Sequence, residues 1–299
     1  MMNWRLPILF LLSLSLFSTT AHAALPDDTV PLRAAVDPSL QAELENRLDR
    51  LALDARVDAG QLAVALVDVT DPERPRLAQV NGDEMLYAAS LPKIAILLAA
   101  FERIGAGEMT LDDETRDVMT RMIRRSSNSA ATEMIHRVGR NYINDVLRSP
   151  KYRLYDEAFN GGLWVGKEYG RGSAYQRDPL HHQSHGATAF QVARFYYLLE
   201  TGQLVSPELS REMKTILGES AIHHKFVGGL MTGAPEARVY RKSGTWRTWH
   251  ADSAIVEHEG RTYIAVALAN SPQGGEWMKR LIVELDGIIM DAPIRTAGL

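Results

Sequence analysis

A serine three residues ahead of a lysine can make an activated hydroxyl nucleophile, and Ser90-Leu91-Pro92-Lys93 is the only S-x-x-K in this chain. At average residue usage about one such match is expected by chance, so its surroundings carry the argument. From Ser90 to about Ile104 the sequence (SLPKIAILLAAFERI) is apolar on nearly every face, which predicts a buried helix. Ser90 is then its cap, and Pro92 is tolerated in the first turn. A spacing of three puts Lys93 on the same face as Ser90. An ammonium sunk beside such a helix is costly to desolvate, which lowers its pKa and lets it take the serine proton. A backbone N–H at the helix start can also stabilise an oxyanion. The plainer alternative is a helix cap followed by a lysine that snorkels to water.

Two further motifs are of the right kind. Ser126-Ser127-Asn128 lies between two helical patterns. There a second hydroxyl can relay a proton to a leaving nitrogen, and an amide can hold a substrate carbonyl or the lysine. Serine and asparagine at a helix start are also common caps. Lys242-Ser243-Gly244 lies on a predicted strand, where glycine is costly unless another backbone or a ligand must come close. A lysine and a hydroxyl beside that gap suit an anionic substrate group, and the N–H of Thr245 suits a second oxyanion donor. Arg247, just beyond, suits a carboxylate clamp or a turn on the surface.

The elements that must position these groups begin with a helix. Asp37-Pro38 is an N-cap and first-turn pair, followed by Leu40, Leu44, Leu48 and Leu51 on one helical face. Residues 24–36 read as a loose leader. Gln61 to Thr70 reads as a buried strand and is followed by a second strand ending near Val80. Helical patterns run over Leu111 to Arg125, Ser129 to Val138 and Thr188 to Glu200. Strands return over Val239 to Thr245, Asp252 to Glu257 and Thr262 to Asn270, before a last helix with Trp277, Leu281, Leu285 and Ile288 on one side. Residues 150–187 keep no period, which marks a functional stretch or short elements. With strands at both ends and helices between, an α+β fold is expected. One antiparallel sheet is built from both chain ends and flanked by helices, with an all-helical insert. The α/β part spans about 37–89 and 225–299, and the helical part about 90–224, within a single domain over 24–299.

In order and setting, the three motifs match the S-x-x-K, S-D-N and K-T-G set. The chain therefore resembles the class A β-lactamase-like serine hydrolases over nearly all of its mature length. That resemblance implies an acyl-enzyme on Ser90 with Lys93 as base or proton shuttle. It further implies proton relay by Ser126, substrate binding by Asn128, and recognition of a substrate carboxylate by Lys242 and Ser243. There are two departures. The central motif is S-S-N, and only 36 residues separate Ser90 from Ser126, fewer than is typical. In addition, the family's water-activating glutamate has no aligned counterpart. Glu168 is the only glutamate between Gly161 and Thr188 and is either that base or a solvated loop carboxylate. If the base is absent, an adduct would form and persist, as on a penicillin-binding protein. His181, His182 and His185 fall in the same stretch but lack an acidic ligand of metal-site spacing, so no metal or other cofactor is expected.

Composition narrows the class. Leu6 to Phe17 is an apolar run of 12 residues after Arg5, and A-x-A follows at Ala21 to Ala23. This predicts a signal peptide over residues 1–23, a periplasmic or secreted product and no stable membrane anchor after cleavage. Cysteine is absent, which excludes disulfides, thiolate chemistry and an N-terminal lipidated cysteine. The net charge of −4 and scattered basic residues argue against nucleic acid. The partner expected is a small-molecule or peptidoglycan-derived substrate, taken by a monomer. The alternatives are a D,D-peptidase or esterase on the same scaffold, and a pseudoenzyme that binds penicillin or a cell-wall fragment without turnover.

Overall fold

The computed structural model describes residues 31–292; the signal-peptide reading lies outside them. The chain begins with α1 (Pro38–Arg50), α2 (Asp54–Asp58), β1 (Leu62–Asp68), β2 (Arg76–Val80) and β3 (Leu86–Tyr87). Four helices come next: α3 (Lys93–Gly105), α4 (Asp113–Arg124), α5 (Asn128–Val138) and α6 (Arg140–Arg148). Short strands β4 (Tyr155–Asp156), β5 (Gly161–Gly162), β6 (Trp164–Val165) and β7 (His185–Ala187) lead to α7 (Ala189–Glu200), α8 (Pro207–Leu217) and α9 (Phe226–Gly233). The meander β8 (Arg238–Trp246), β9 (Trp249–His258), β10 (Arg261–Asn270) and the long α10 (Gly274–Asp291) end it.

Burial on both faces of β1 dictates the layers. Leu62, Val64 and Leu66 point to one side and Ala63, Ala65 and Val67 to the other, all fully buried. A strand of that kind needs helices above and below it. On one side α1 and α10 supply Leu40, Leu44, Leu48, Trp277, Leu281 and Leu285; on the other, α3 and α7 supply Ile94, Leu97, Phe195 and Tyr196. The sheet runs β2-β1-β10-β9-β8, antiparallel throughout. It is therefore built from both chain ends, as the sequence pattern requires. Asp37 caps α1 by accepting from the N–H groups of Ser39 and Leu40, and Pro38 fills the first helical position.

Three sequence expectations need correction. Residues 32–36 are not loose: Leu32 is buried within a turn of 3-10 helix, and Val36 bridges to Leu77. The middle region is not wholly helical, since β3, β7 and β6 form a small sheet there and β4 pairs with β5. A two-residue strand is too short to leave a period in sequence. Ser90 is not the cap of α3 either. The helix starts at Lys93, and Ser90 sits in the tight turn before it. The N–H groups of Lys93 and Ile94 there reach the carbonyls of Ser90 and Leu91, three residues back.

Strand β8, which carries the K-S-G residues, is held from behind by a fully buried ion pair. Arg241 Nε donates to Asp252 Oδ1 at 3.0 Å and Nη2 to Oδ2 at 2.6 Å, while Nη1 reaches the Ile222 carbonyl at 2.6 Å. The same carboxylate accepts the Phe226 N–H at 3.1 Å, so one cluster ties the loop before α9 to the sheet. Removing one partner strands a buried charge. Arg241→Met is therefore expected to cost about 3–5 kcal/mol in urea unfolding, with much of it recovered by adding Asp252→Asn. A loss under about 1 kcal/mol would contradict this role for the pair.

Candidate active site

The site forms where three elements converge: the turn before α3, the turn between α4 and α5, and the edge strand β8. Gly244 makes the convergence possible. A Cβ on it would lie 2.2 Å from the Ala88 carbonyl oxygen and 2.8 Å from the Ser90 nitrogen. The strand thus packs backbone against backbone on the Ser90 turn, which is the close approach that glycine in a strand signals. Trp246 and Trp249 close the two-residue turn of the β8–β9 hairpin. In such a hairpin the closing pair is hydrogen-bonded, so alternation turns the Thr245 N–H away from β9, on the sheet's free edge.

Lys93 is fully buried. Its Nζ donates to the Ser126 carbonyl at 2.7 Å and to Asn128 Oδ1 at 2.9 Å, and lies 3.4 Å from Ser126 Oγ. Burial lowers its pKa to about 7, so near neutral pH a large fraction is free amine. Lys242 is buried as well, and its Nζ donates to Ser126 Oγ at 2.9 Å and to its neighbour's carbonyl at 2.7 Å. Desolvation, and then the charge of Lys93, hold it well below the usual lysine range. The Ser126 hydroxyl therefore stands between two lysines. Ser126 occupies the left-handed region at φ 54°, a strained setting for a serine and one typical of functional positions.

The S-S-N departure has a local explanation. Ser127, the middle residue, is the N-cap of α5, and its hydroxyl accepts the Ala130 N–H. Aspartate and serine cap equally well, so the substitution keeps the cap and leaves the flanking Ser126 and Asn128 facing the lysines.

Beside Ser90 a cavity of about 580 Å³ opens, lined among others by Tyr87, Asn128, Tyr169, His185 and Thr245. Glu168 also lines it, but Glu168 Oε1 is bonded to His136 Nε2 at 2.7 Å and to Arg140. Those two bonds hold the carboxyl below its ordinary range. The next residue, Tyr169, points inward, with its ring centroid 4.5 Å from Lys93 Nζ. Arg247 is exposed on the hairpin turn at φ 54°, its guanidinium 5.7 Å from the Trp246 ring. Ser243 is buried in β8 beside Lys242. The three loop histidines diverge. His181 bonds to Asn160, His182 is exposed, and His185 is buried in β7.

Several residues of the site carry no motif. Lys225 is buried at the start of α9, and its Nζ donates to the Gly244 carbonyl at 2.6 Å, Thr245 Oγ1 at 2.8 Å and the Ala251 carbonyl at 3.1 Å. Desolvation lowers its pKa to about 8. The one clue in sequence is a lysine opening an apolar helix, where the helix dipole disfavours a cation. Asp178 is fully buried and accepts the N–H groups of Leu180, His181 and Gln183, which fixes the loop leading to His185.

An S-x-x-K at a buried helix start, an interhelical S-x-N and a K-S-G on the edge strand of an antiparallel sheet thus meet in one place. The chain belongs to the beta-lactamase enzyme family, whose model matches residues 43–116 and 114–291. No curated protein matches in sequence. Among solved structures, a β-lactamase from Sphaerobacter thermophilus is 18% identical with a TM-score of 0.64, covering 85% of this chain and 98% of its own. A β-lactamase from Chitinophaga pinensis is 15% identical with a TM-score of 0.65, covering 83% and 98%. PBP-A is 18% identical with a TM-score of 0.63, covering 86% and 98%; a variant of it was solved as an acyl-enzyme complex with penicillin G. At these identities the likeness shows the fold, which is that of the class A β-lactamases.

Gly244→Ala is expected to push β8 off the Ser90 turn. Labelling of Ser90 by a serine-reactive phosphonate should slow at least about tenfold, equivalent to some 1.4 kcal/mol. Unchanged labelling would show that the close approach has no part in reactivity.

Proposed function

We propose that this protein is an active-site-serine hydrolase in which Ser90 is acylated by a β-lactam or a related D-alanyl-type amide. The observation that carries the reading is the Ser126 hydroxyl held between Lys93 and Lys242 beside the Ser90 turn. Lys93, a large fraction of it free amine near neutral pH, takes the Ser90 proton, with the Ser126 hydroxyl in reach to pass one to the leaving nitrogen. The backbone N–H groups of Ser90 and Thr245 hold the developing oxyanion. Lys242, Ser243 and Thr245, backed by Lys225, meet the substrate carboxylate, and Asn128 meets its amide. The family's β-lactamases and the penicillin G adduct of a PBP-A variant support this choice of substrate. A periplasmic or secreted location, with the protein monomeric, fits such a substrate.

A second reading concerns the fate of the adduct. Glu168 is taken up by His136 and Arg140, and it is Tyr169 that faces Lys93. A carboxylate so engaged is a poor activator of water. This favours slow deacylation, as in a penicillin-binding or D,D-peptidase-like protein, over rapid β-lactam clearance.

Intact mass followed over time with a reporter β-lactam tests both readings. An adduct on Ser90 that outlasts many minutes is expected, and a transient adduct with product release would instead mark a β-lactamase. Ser90→Ala should abolish it. Unchanged mass with several β-lactams and a phosphonate would overturn the proposal and leave the binding pseudoenzyme.

The acylation rate should also depend on pH in a defined direction. Below the Lys93 pKa of about 7 the lysine is protonated and cannot act as base, so the rate climbs with pH through that value and levels off above it. A rate still climbing steeply beyond about pH 9 would mean that Lys93 keeps an ordinary pKa.

A further inference from the structure

We propose that Tyr169 is a positioning residue that sets the proton affinity of Lys93, its ring serving both as a wall against water and as a π face for the ammonium. The inference rests on the reading that Lys93 takes the Ser90 proton, and it gives a purpose to a loop whose carboxylate faces away.

The ring is placed with unusual care for a loop side chain. Its centroid lies 4.5 Å from Lys93 Nζ, within cation–π range. The ring also stacks on His185, with centroids 4.3 Å apart and planes 5° from parallel. The main chain is clamped to α5 on both sides of the residue. The Tyr169 N–H donates to Thr132 Oγ1 and the Thr132 hydroxyl donates to the Tyr169 carbonyl, each at 3.1 Å. The phenol points to the Ala89 carbonyl at 3.4 Å, one residue before the nucleophile. His185 is almost wholly buried, and its Nδ1 has no hydrogen-bond partner.

The other groups around Lys93 offer no opposite charge. Lys242 faces it from β8 across Ser126 Oγ, and Ser126 and Asn128 face it from the start of α5 without charge. His185, on β7, is kept neutral by burial, with a pKa of about 3. In the loop, Glu168 is bonded to His136 and Arg140, and the charge of its neighbour Lys167 acts on His185. Tyr169 then acts on Lys93 in two opposed ways. By excluding water it favours the free amine, and by its π face it favours the ammonium.

That opposition makes the test specific. Leucine at 169 keeps the bulk and removes the π face, so Tyr169→Leu should move the midpoint of the acylation pH profile down by about half to one unit. Tyr169→Ala lets water in and should move it up by about one unit or more. Tyr169→Phe keeps the ring face and should keep the midpoint. Shifts in the same direction for leucine and alanine, or shifts below about a quarter unit for both, would overturn the inference. The same midpoints can be read without an acyl donor by titrating the Lys93 13Cε resonance, assigned with Lys93→Gln. If the native protein takes no acyl group, the catalytic reading fails, while that titration still decides whether Tyr169 tunes Lys93.

Discussion

Three lysines are buried here, and none of them is hydrogen-bonded to a carboxylate among the described residues. Lys93, Lys225 and Lys242 are held by carbonyl, amide and hydroxyl oxygens. The nearest buried carboxylate, Asp252, is spent on Arg241. Neutral oxygens satisfy the geometry of an ammonium but do not offset its desolvation, so the proton affinity of each lysine falls. Much of the local architecture serves this one condition. The Gly244 backbone seals against the Ser90 turn, Ser126 accepts a strained backbone to reach both Lys93 and Lys242, and the all-apolar helix α3 keeps water from Lys93.

In the proposed reaction, the same condition separates acylation from deacylation. A lysine freed of its proton serves the first step, and nothing in that step needs a carboxylate. Clearing an acyl group needs an activated water, and Glu168, which lines the cavity, is bonded to His136 and Arg140. One residue later, Tyr169 fills the space beside Lys93 with an aromatic face. Adjacent residues of one loop thus take different partners, Glu168 the side chains of His136 and Arg140 and Tyr169 the ammonium of Lys93.

How much of this was legible in sequence depended on the range of the signal. The strands at both ends, the cap at Asp37 and the apolar α3 are written in local periodicity and composition. Gly244 was legible too, because a glycine in a strand needs a reason. The exact start of α3 was not, since a turn forced by a neighbouring strand leaves no mark in the helix's own pattern. Short strands such as β6 and β7 are likewise held by tertiary pairing alone. Lys225, Tyr169 and His185 belong to the site only through contacts made far along the chain, and no spacing rule reaches them. Glu168 was visible as a residue, but its orientation depends on His136 and Arg140 in the helices before it.

Folding strips protons from buried lysines, and stability against pH measures this. Between about pH 7 and the ordinary lysine value of 10.5, the unfolded chain holds a proton on Lys93 that the folded protein has released. Stability must then rise with pH in that window, by up to about 1.4 kcal/mol per unit for each such lysine. The comparison is with a Lys93→Met, Lys242→Met double variant, in which every other titration cancels. The unfolding free energy of the native protein is expected to climb relative to the variant from pH 7 to 10. A difference that stays flat across that range would contradict it.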